Sequence, residues 1–263
     1  MKSIKMIAAD LDGTLLRDDK TVSGYTRRVL NRCLEKGIIL IIATGRPERG
    51  AKKAAPEGLA SYIIADNGAT VTSAESNQEL HVTEIPEAVK NSLIARLAVM
   101  PGVGMMTAET GRKLYTNIPG DDYMTAGWNT LFWDFIKPVP DAVRKISAEC
   151  GDREAMMAVM RDYPELRLYP NKGEDWYQIT HKSASKYSGI AYLTGITGID
   201  TKDVIAFGDD FNDIEMLENC GAGVAMENAG TEVKRAARFV CGSNEDDGLA
   251  KFLDKHILGE QNV

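Results

Sequence analysis

The sequence predicts an α/β protein: a doubly wound, Rossmann-like parallel sheet core with an α+β module inserted into it. Three observations carry this expectation. Short apolar runs recur, each fit for a strand buried on both faces; amphipathic segments separate them; and the rhythm breaks once, in the middle of the chain, then resumes. The runs are "IKMIAAD" (4–10), "IILIIATG" (38–45), "YIIADNG" (62–68), "DVIAFGDD" (203–210), "GAGVAM" (221–226) and the weaker "RFVC" (238–241).

Between the first two runs, "SGYTRRVLNRCLEKG" (23–37) sets Val29, Leu30, Cys33 and Leu34 on one helical face and stops at Lys-Gly. "NDIEMLENCG" (212–221) and "AGTEVKRAA" (229–237) read the same way. The core is expected over 1–82 and 185–263, the inserted module over 83–184. Within the insert, "PEAVKNSLIARLAVM" (86–100) and "PDAVRKISAECG" (140–151) read as helices. "RKLYTNI" (112–118), "REAMMAVM" (153–160), "LRLYP" (166–170) and "DWYQIT" (175–180) read as strands.

Composition narrows the function classes. Of 263 residues, 44% are apolar and 26% charged, a folded rather than a disordered profile. The net charge of −7 and the lack of a basic block argue against nucleic acid as a partner. No run reaches the roughly 18 apolar residues of a membrane span, so a cytoplasmic protein is expected, as a monomer or homodimer. Cys33, Cys150, Cys220 and Cys241 form no CxxC pair, and His81, His181 and His256 have no zinc spacing with them. Reduced thiols follow.

Four clusters carry chemistry. In "DLDGT", Asp10 and Asp12 are spaced to face one side of an extended chain, and Gly13 permits a sharp turn beyond them. Two adjacent carboxylates repel unless a cation or a shared proton relieves them, although an acid pair also commonly opens a loop. In "ATGRP", Thr44 offers a hydroxyl, Gly45 a backbone N–H, and a helix starting near Pro47 would turn its positive end outward; an ordinary strand-to-helix turn looks alike. "GDDFND" gathers Asp209, Asp210, Asn212 and Asp213 after a buried run. Helix capping explains one of these groups, and hard oxygen donors together suit Mg²⁺. Lys182 and Lys186 lie where the chain returns to the core, and Lys186 opens the amphipathic helix. Carboxylates, a hydroxyl, a lysine and an implied Mg²⁺ at strand carboxyl ends make a phosphoryl-transfer site; no P-loop is present.

With "DLDGTLL", "ATGRP", "ADNGA" and "GDDFNDIEML" in this order, the chain resembles the haloacid dehalogenase superfamily, specifically its Cof-type phosphatases with a type IIB cap. The lysine stretch, "SKYSGIAYL", keeps Lys186 but has Tyr187 where relatives carry a small residue. The resemblance implies that Asp10 is the nucleophile and Asp12 the general acid and base. It implies Mg²⁺ held by Asp10, the Asp12 main-chain carbonyl and Asp209, with Asp213 orienting a metal-bound water or Lys186. Thr44, Gly45, Arg46, Lys186 and Asn212 would bind the phosphoryl group or substrate. The insert would be the cap, with Asp121, Asp122, Asp175, Trp176 and Tyr177 as candidate contacts. The implied substrate is a small phosphorylated metabolite such as a sugar phosphate. A phosphomutase or phosphotransferase would use the same residues; a phospho-accepting signalling module and a silent binding protein are the readings outside catalysis.

Overall fold

The computed structural model describes residues 4–119, 129–171 and 173–259. The chain divides into two compact units, residues 1–81 with 185–263, and residues 82–184.

The first unit is built on an eight-stranded sheet. Its elements before the insert are β1 (Met6–Ala9), α1 (Gly24–Glu35), β2 (Ile39–Ala43), α2 (Glu48–Ala54), β3 (Tyr62–Ala65), β4 (Thr70–Ser73) and β5 (Glu79–Val82). The insert contributes α3 (Glu87–Ala98), β6 (Val103–Glu109), β7 (Leu114–Thr116), β8 (Thr130–Phe132), β9 (Lys145–Cys150), α4 (Arg153–Met160), β10 (Leu166–Pro170) and β11 (Trp176–His181). The chain then returns through α5 (Lys186–Thr197), β12 (Val204–Gly208), α6 (Ile214–Asn219), β13 (Ala222–Ala225), α7 (Thr231–Ala236), β14 (Phe239–Val240) and α8 (Gly248–Leu253).

The large sheet runs β14-β13-β12-β1-β2-β3-β4-β5. From β14 to β3 every pairing is parallel, and β4 turns back antiparallel on β3. Alternate residues of β1 serve opposite layers: Ile7 and Ala9 pack with α1 and α8, while Met6 and Ala8 pack with α5, α6 and α7. Both faces are therefore apolar, which is why these strands read as unbroken hydrophobic runs. Helix α1 starts where Ser23 Oγ accepts the Thr26 N–H at 2.9 Å and buries Thr26, Val29, Leu30 and Cys33. Strand order reverses between β1 and β12, the place where open α/β sheets leave a crevice at their carboxyl edge.

The second unit has a six-stranded sheet, β10-β11-β9-β6-β7-β8, antiparallel except at β7–β8. One apolar cluster joins its Ile146, Ala148 and Ile179 to Leu93, Ile94 and Leu97 of α3 and to Met156 and Val159 of α4. Two sequence expectations are corrected here. Residues 145–150, expected as helix, form β9, because Ile146, Ala148 and Cys150 alternate with Lys145, Ser147 and Glu149 at the two-residue period of a strand. Residues 153–160, expected as strand, form α4, because Ala and Met favour helix and Asp152 Oδ1 caps the Ala155 N–H at 2.9 Å. The four cysteines are free thiols, with Cys33, Cys150 and Cys220 buried. Among the described residues, no helix is long and apolar enough to cross a membrane.

Candidate active site

The acids of the site come from the carboxyl ends of neighbouring parallel strands. Ala9 of β1 pairs with Phe207 of β12 and with Ile42 of β2. Asp10 therefore follows β1 beside Asp209, which follows β12, with Thr44 one strand along. The Asp10 N–H extends the ladder to the Phe207 carbonyl at 3.0 Å. Carboxylate oxygens of Asp10, Asp209 and Asp213 lie within 4.8 Å of one another, and all three residues are buried.

The close approach depends on two glycines. Gly13 has φ +76°, and a β-carbon there would lie 2.5 Å from Asp209 Oδ2. At Gly208 a β-carbon would sit 2.4 Å from the Asp213 side chain. Thr14 Oγ1 donates to Asp209 Oδ1 at 3.0 Å, and Asn228 Nδ2 donates to the Gly13 carbonyl at 2.8 Å, so the turn after β1 is fixed on both flanks.

Lys186 is the buried counter-charge, only 1% exposed. Its Nζ donates to Asp10 Oδ1 at 2.7 Å, to Asp213 Oδ1 at 2.7 Å and to Asn212 Oδ1 at 3.2 Å. It occupies the first position of α5, where the helix dipole disfavours a cation. Three acceptors offset that cost, and a capping box holds the helix start: Ser188 N donates to Ser185 Oγ at 3.0 Å and Ser185 N to Ser188 Oγ at 2.9 Å. Burial works against the charged lysine, yet Asp10 and Asp213 hold its ammonium above the usual lysine range. Burial pushes the Asp10 carboxyl well above the usual carboxylate range; Lys186 opposes this, while Asp213 and Asp209 add to it. Burial and the nearby Asp213 push Asp209 up to about 6.

Both oxygens of Asp213 are engaged by the protein. Its Oδ2 accepts the Asp209 and Asp210 N–H groups, each at 3.0 Å, and its Oδ1 takes Lys186. Asp10 and Asp209 differ: one oxygen of each is bound, to Lys186 and Thr14, and among the described residues the other accepts no hydrogen bond. The donor set fits a hard divalent cation. Three buried carboxylates face one buried ammonium, a balance of two negative charges, and two of the acids keep an oxygen for a ligand. Asp10 and Asp209 would hold the ion directly, with Asp213 behind them.

Asp12 stands apart. Its carboxylate is not in the cluster but is gripped by Arg46, with Nε to Oδ2 and Nη2 to Oδ1 both at 2.6 Å. Burial opposes ionisation, but Arg46 and Lys20 outweigh it and hold the Asp12 carboxyl below the usual carboxylate range. Thr44 is buried and accepts the Arg46 N–H at 3.1 Å, and Gly45 lies between them at the end of β2. Asn212, half-buried, donates from Nδ2 to Asn67 Oδ1 at 2.8 Å.

The structure thus gathers Asp10, Asp209, Asp213, Lys186 and Asn212 and pairs Asp12 with Arg46. Sequence reasoning missed Thr14, Asn67 and Lys20. The Asp66-Asn67-Gly68 turn after β3 was the available signal for Asn67, which is fully buried at φ 53°. Of the candidate contacts in the insert, Tyr177 packs into the apolar core of its own unit, Trp176 is half-buried and Asp175 exposed. Asp121 and Asp122 lie outside the described residues.

Known proteins share both sequence and fold with this chain. A 5-amino-6-(5-phospho-D-ribitylamino)uracil phosphatase of Bacillus subtilis is 30% identical over 96% of this chain and 97% of its own. A pyridoxal phosphate phosphatase of Escherichia coli is 29% identical over 97% of this chain and 99% of its own. A haloacid dehalogenase-like hydrolase from Bacteroides thetaiotaomicron superposes with a TM-score of 0.79 at 26% identity, covering 96% of this chain and 99% of that one. The haloacid dehalogenase-like hydrolase model matches residues 7–253, end to end of the doubly wound unit and its insert, and the chain belongs to that family, among its Cof-type phosphatases.

Proposed function

We propose that the chain hydrolyses small phosphomonoesters with Mg²⁺, through an aspartyl-phosphate on Asp10. The observation that carries this is the placement of Asp10: a buried carboxylate with one oxygen on Lys186 and the other without a hydrogen bond among the described residues, beside Asp209 and Asp213. Asp10, the Asp12 main-chain carbonyl and Asp209 would hold Mg²⁺, which would supply positive charge to offset repulsion between the nucleophile and a phosphate dianion.

Each side chain then has a defined task. Asp10 attacks phosphorus, so an Asp10 oxygen–phosphorus bond forms as the bond to the leaving oxygen breaks. Asp12 gives that oxygen a proton, releasing an alcohol; it then takes a proton from the water that cleaves the aspartyl-phosphate, releasing phosphate. Lys186, the Thr44 hydroxyl, the Gly45 N–H and Asn212 hold phosphoryl oxygens as charge spreads over them. Asp213 keeps Lys186 and the Asp209 backbone in place. Arg46 exchanges Asp12 for an anionic group of the substrate. Residues 83–184 act as the cap that excludes water and reads the leaving group.

Chemistry common to the substrates of the two named relatives supports a substrate class. The compound in each of those names carries its phosphate on a primary alcohol, a poor leaving group that needs a general acid. We assign this chain to primary alkyl phosphomonoesters of small metabolites, sugar phosphates included. The test is a phosphate-release screen over sugar, nucleoside and cofactor phosphates with Mg²⁺, run beside Asp10→Asn. The variant should stay folded and lose about a thousandfold or more in kcat. Equal turnover by both proteins would refute the nucleophile, and substrate consumption that requires an added acceptor and yields the phosphorylated acceptor in place of free phosphate would favour a phosphotransferase.

A further inference from the structure

Asp12 is held by two cations, and only one of them belongs to a recognised motif. The second is Lys20, whose Nζ lies 2.9 Å from Asp12 Oδ1. Its side chain is 59% exposed and that of Asp12 40%, so the pair by itself adds little to stability. Yet Lys20 occupies a backbone conformation that a residue with a long side chain rarely takes, φ 65°. Asn or Gly would suit that position better, and Lys20 brings only its ammonium.

The loop beneath Lys20 is pinned on every side. Arg17 N donates to the Thr21 carbonyl and Lys20 N to the Arg17 carbonyl, both at 2.9 Å. Asp19 Oδ1 accepts from Thr21 N at 2.9 Å and Thr21 Oγ1 at 2.6 Å. The segment 243–247 holds the loop from outside. Asn244 Nδ2 donates to the Leu16 carbonyl at 3.1 Å and to Asp18 Oδ1 at 3.0 Å; Asp18 N donates to Glu245 Oε1 at 2.7 Å; Arg17 pairs with Asp247 at 3.0 Å. A fixed backbone in a disfavoured conformation thus delivers one ammonium to one carboxylate.

The two cations divide the oxygens of Asp12. Arg46 holds Oδ2 through Nε and shares Oδ1 through Nη2, whereas Lys20 touches Oδ1 alone. Two positive charges on one carboxylate leave one in surplus to draw a phosphate dianion. With Arg46 turned to that anion, Oδ2 would be freed toward the leaving oxygen while Oδ1 stays on Lys20. We propose that Lys20 is a positioning residue for the general acid, keeping Asp12 aimed at the leaving oxygen while Arg46 engages substrate. The proposal rests on the reading of Asp12 as acid and base.

Leaving-group dependence tests it. Ribose 5-phosphate needs a proton on its departing alkoxide; p-nitrophenyl phosphate does not. In Lys20→Asn, which suits the loop conformation and so should fold, kcat/KM, which reports departure of the leaving group and not the later hydrolysis common to both esters, should fall about tenfold or more on ribose 5-phosphate and by less than about threefold on p-nitrophenyl phosphate. Lys20→Arg should restore most of the difference, and Lys20→Gly should repeat the defect with the melting temperature kept. Equal losses on both esters, or no loss on ribose 5-phosphate, would overturn the proposal. Asp12→Asn separates the two layers of the argument. If it shows no leaving-group dependence, the acid assignment itself fails; if it does and Lys20→Asn does not, only the role of Lys20 fails.

Discussion

At the scale of single residues, the site depends on what is missing as much as on what is present. Gly13 allows the chain to leave β1 in a left-handed turn while the Asp209 carboxylate occupies the space a side chain would need. Gly13→Ala adds a β-carbon at 2.5 Å from Asp209 Oδ2. The carboxylate must swing away, and a shift of this kind is expected to weaken Mg²⁺ binding and cut kcat by about a hundredfold. Calorimetric titration with Mg²⁺ and phosphate release, run beside circular dichroism to show an intact fold, check this; wild-type Mg²⁺ affinity in the variant would disprove it. The residues readable in advance were those whose type is unusual for their place: acids after buried strands, and a lysine opening a helix. Lys20 was not readable, and Asn67 was readable only as part of a turn after β3, not in its contacts. Their roles come from φ angles of 65° and 53° and from partners distant in the chain, which no local pattern encodes.

At the scale of elements, α5 fixes where the Lys186 ammonium stands among the acids. Its first residue must hold a cation against the helix dipole, and the Ser185–Ser188 capping box fixes where that residue stands. Ser185→Ala removes the acceptor for the Ser188 N–H and is expected to cost about 1 kcal/mol of stability. The first turn then frays at Lys186, so kcat should drop several-fold, while Ser185→Thr should behave like wild type. Urea denaturation and steady-state kinetics decide it; unchanged stability in Ser185→Ala would show that the cap contributes nothing. The insert teaches a different lesson. Residues 140–160 held the right signals, a two-residue alternation and then an Asp cap before Ala and Met. A helix expectation over 140–151 and a strand expectation over 153–160 read apolar content ahead of period.

At the scale of the molecule, the sheet of the first unit concentrates negative charge at one edge. Parallel strands point their carboxyl ends the same way, so the acids after β1 and β12 converge whatever the helices between them do. Asp209, pushed up to about 6 by burial and then by Asp213, shows the cost. Its folded value lies above its unfolded one, so stability from the protonated form is present at low pH and is lost as pH rises through about 6. A divalent cation binds the ionised form and restores what is lost. At roughly a hundred times its Kd, Mg²⁺ adds about 2.7 kcal/mol. The melting temperature should therefore rise with Mg²⁺ and fall with a chelator, more at about pH 7.5 than at about pH 5, where protons compete for the acids. Differential scanning calorimetry measures it; a shift that is absent, or larger at the lower pH, would contradict the assigned ion site.

The doubly wound core was legible in the sequence, and so were the acids that follow its buried strands. These follow from short-range rules: buried parallel strands must be apolar on both faces, and a polar residue directly after one reaches the strand's carboxyl end. Only the tertiary structure decided which charges meet. Asp12 faces Arg46 and Lys20 instead of the buried cluster, Asp213 spends both oxygens on the protein, and among the described residues Asp10 and Asp209 each keep one. The physical reason is distance along the chain: Lys186 meets Asp10 across 176 residues, and the strength of such a pairing depends on a burial and a geometry that exist only once the strands have been laid side by side.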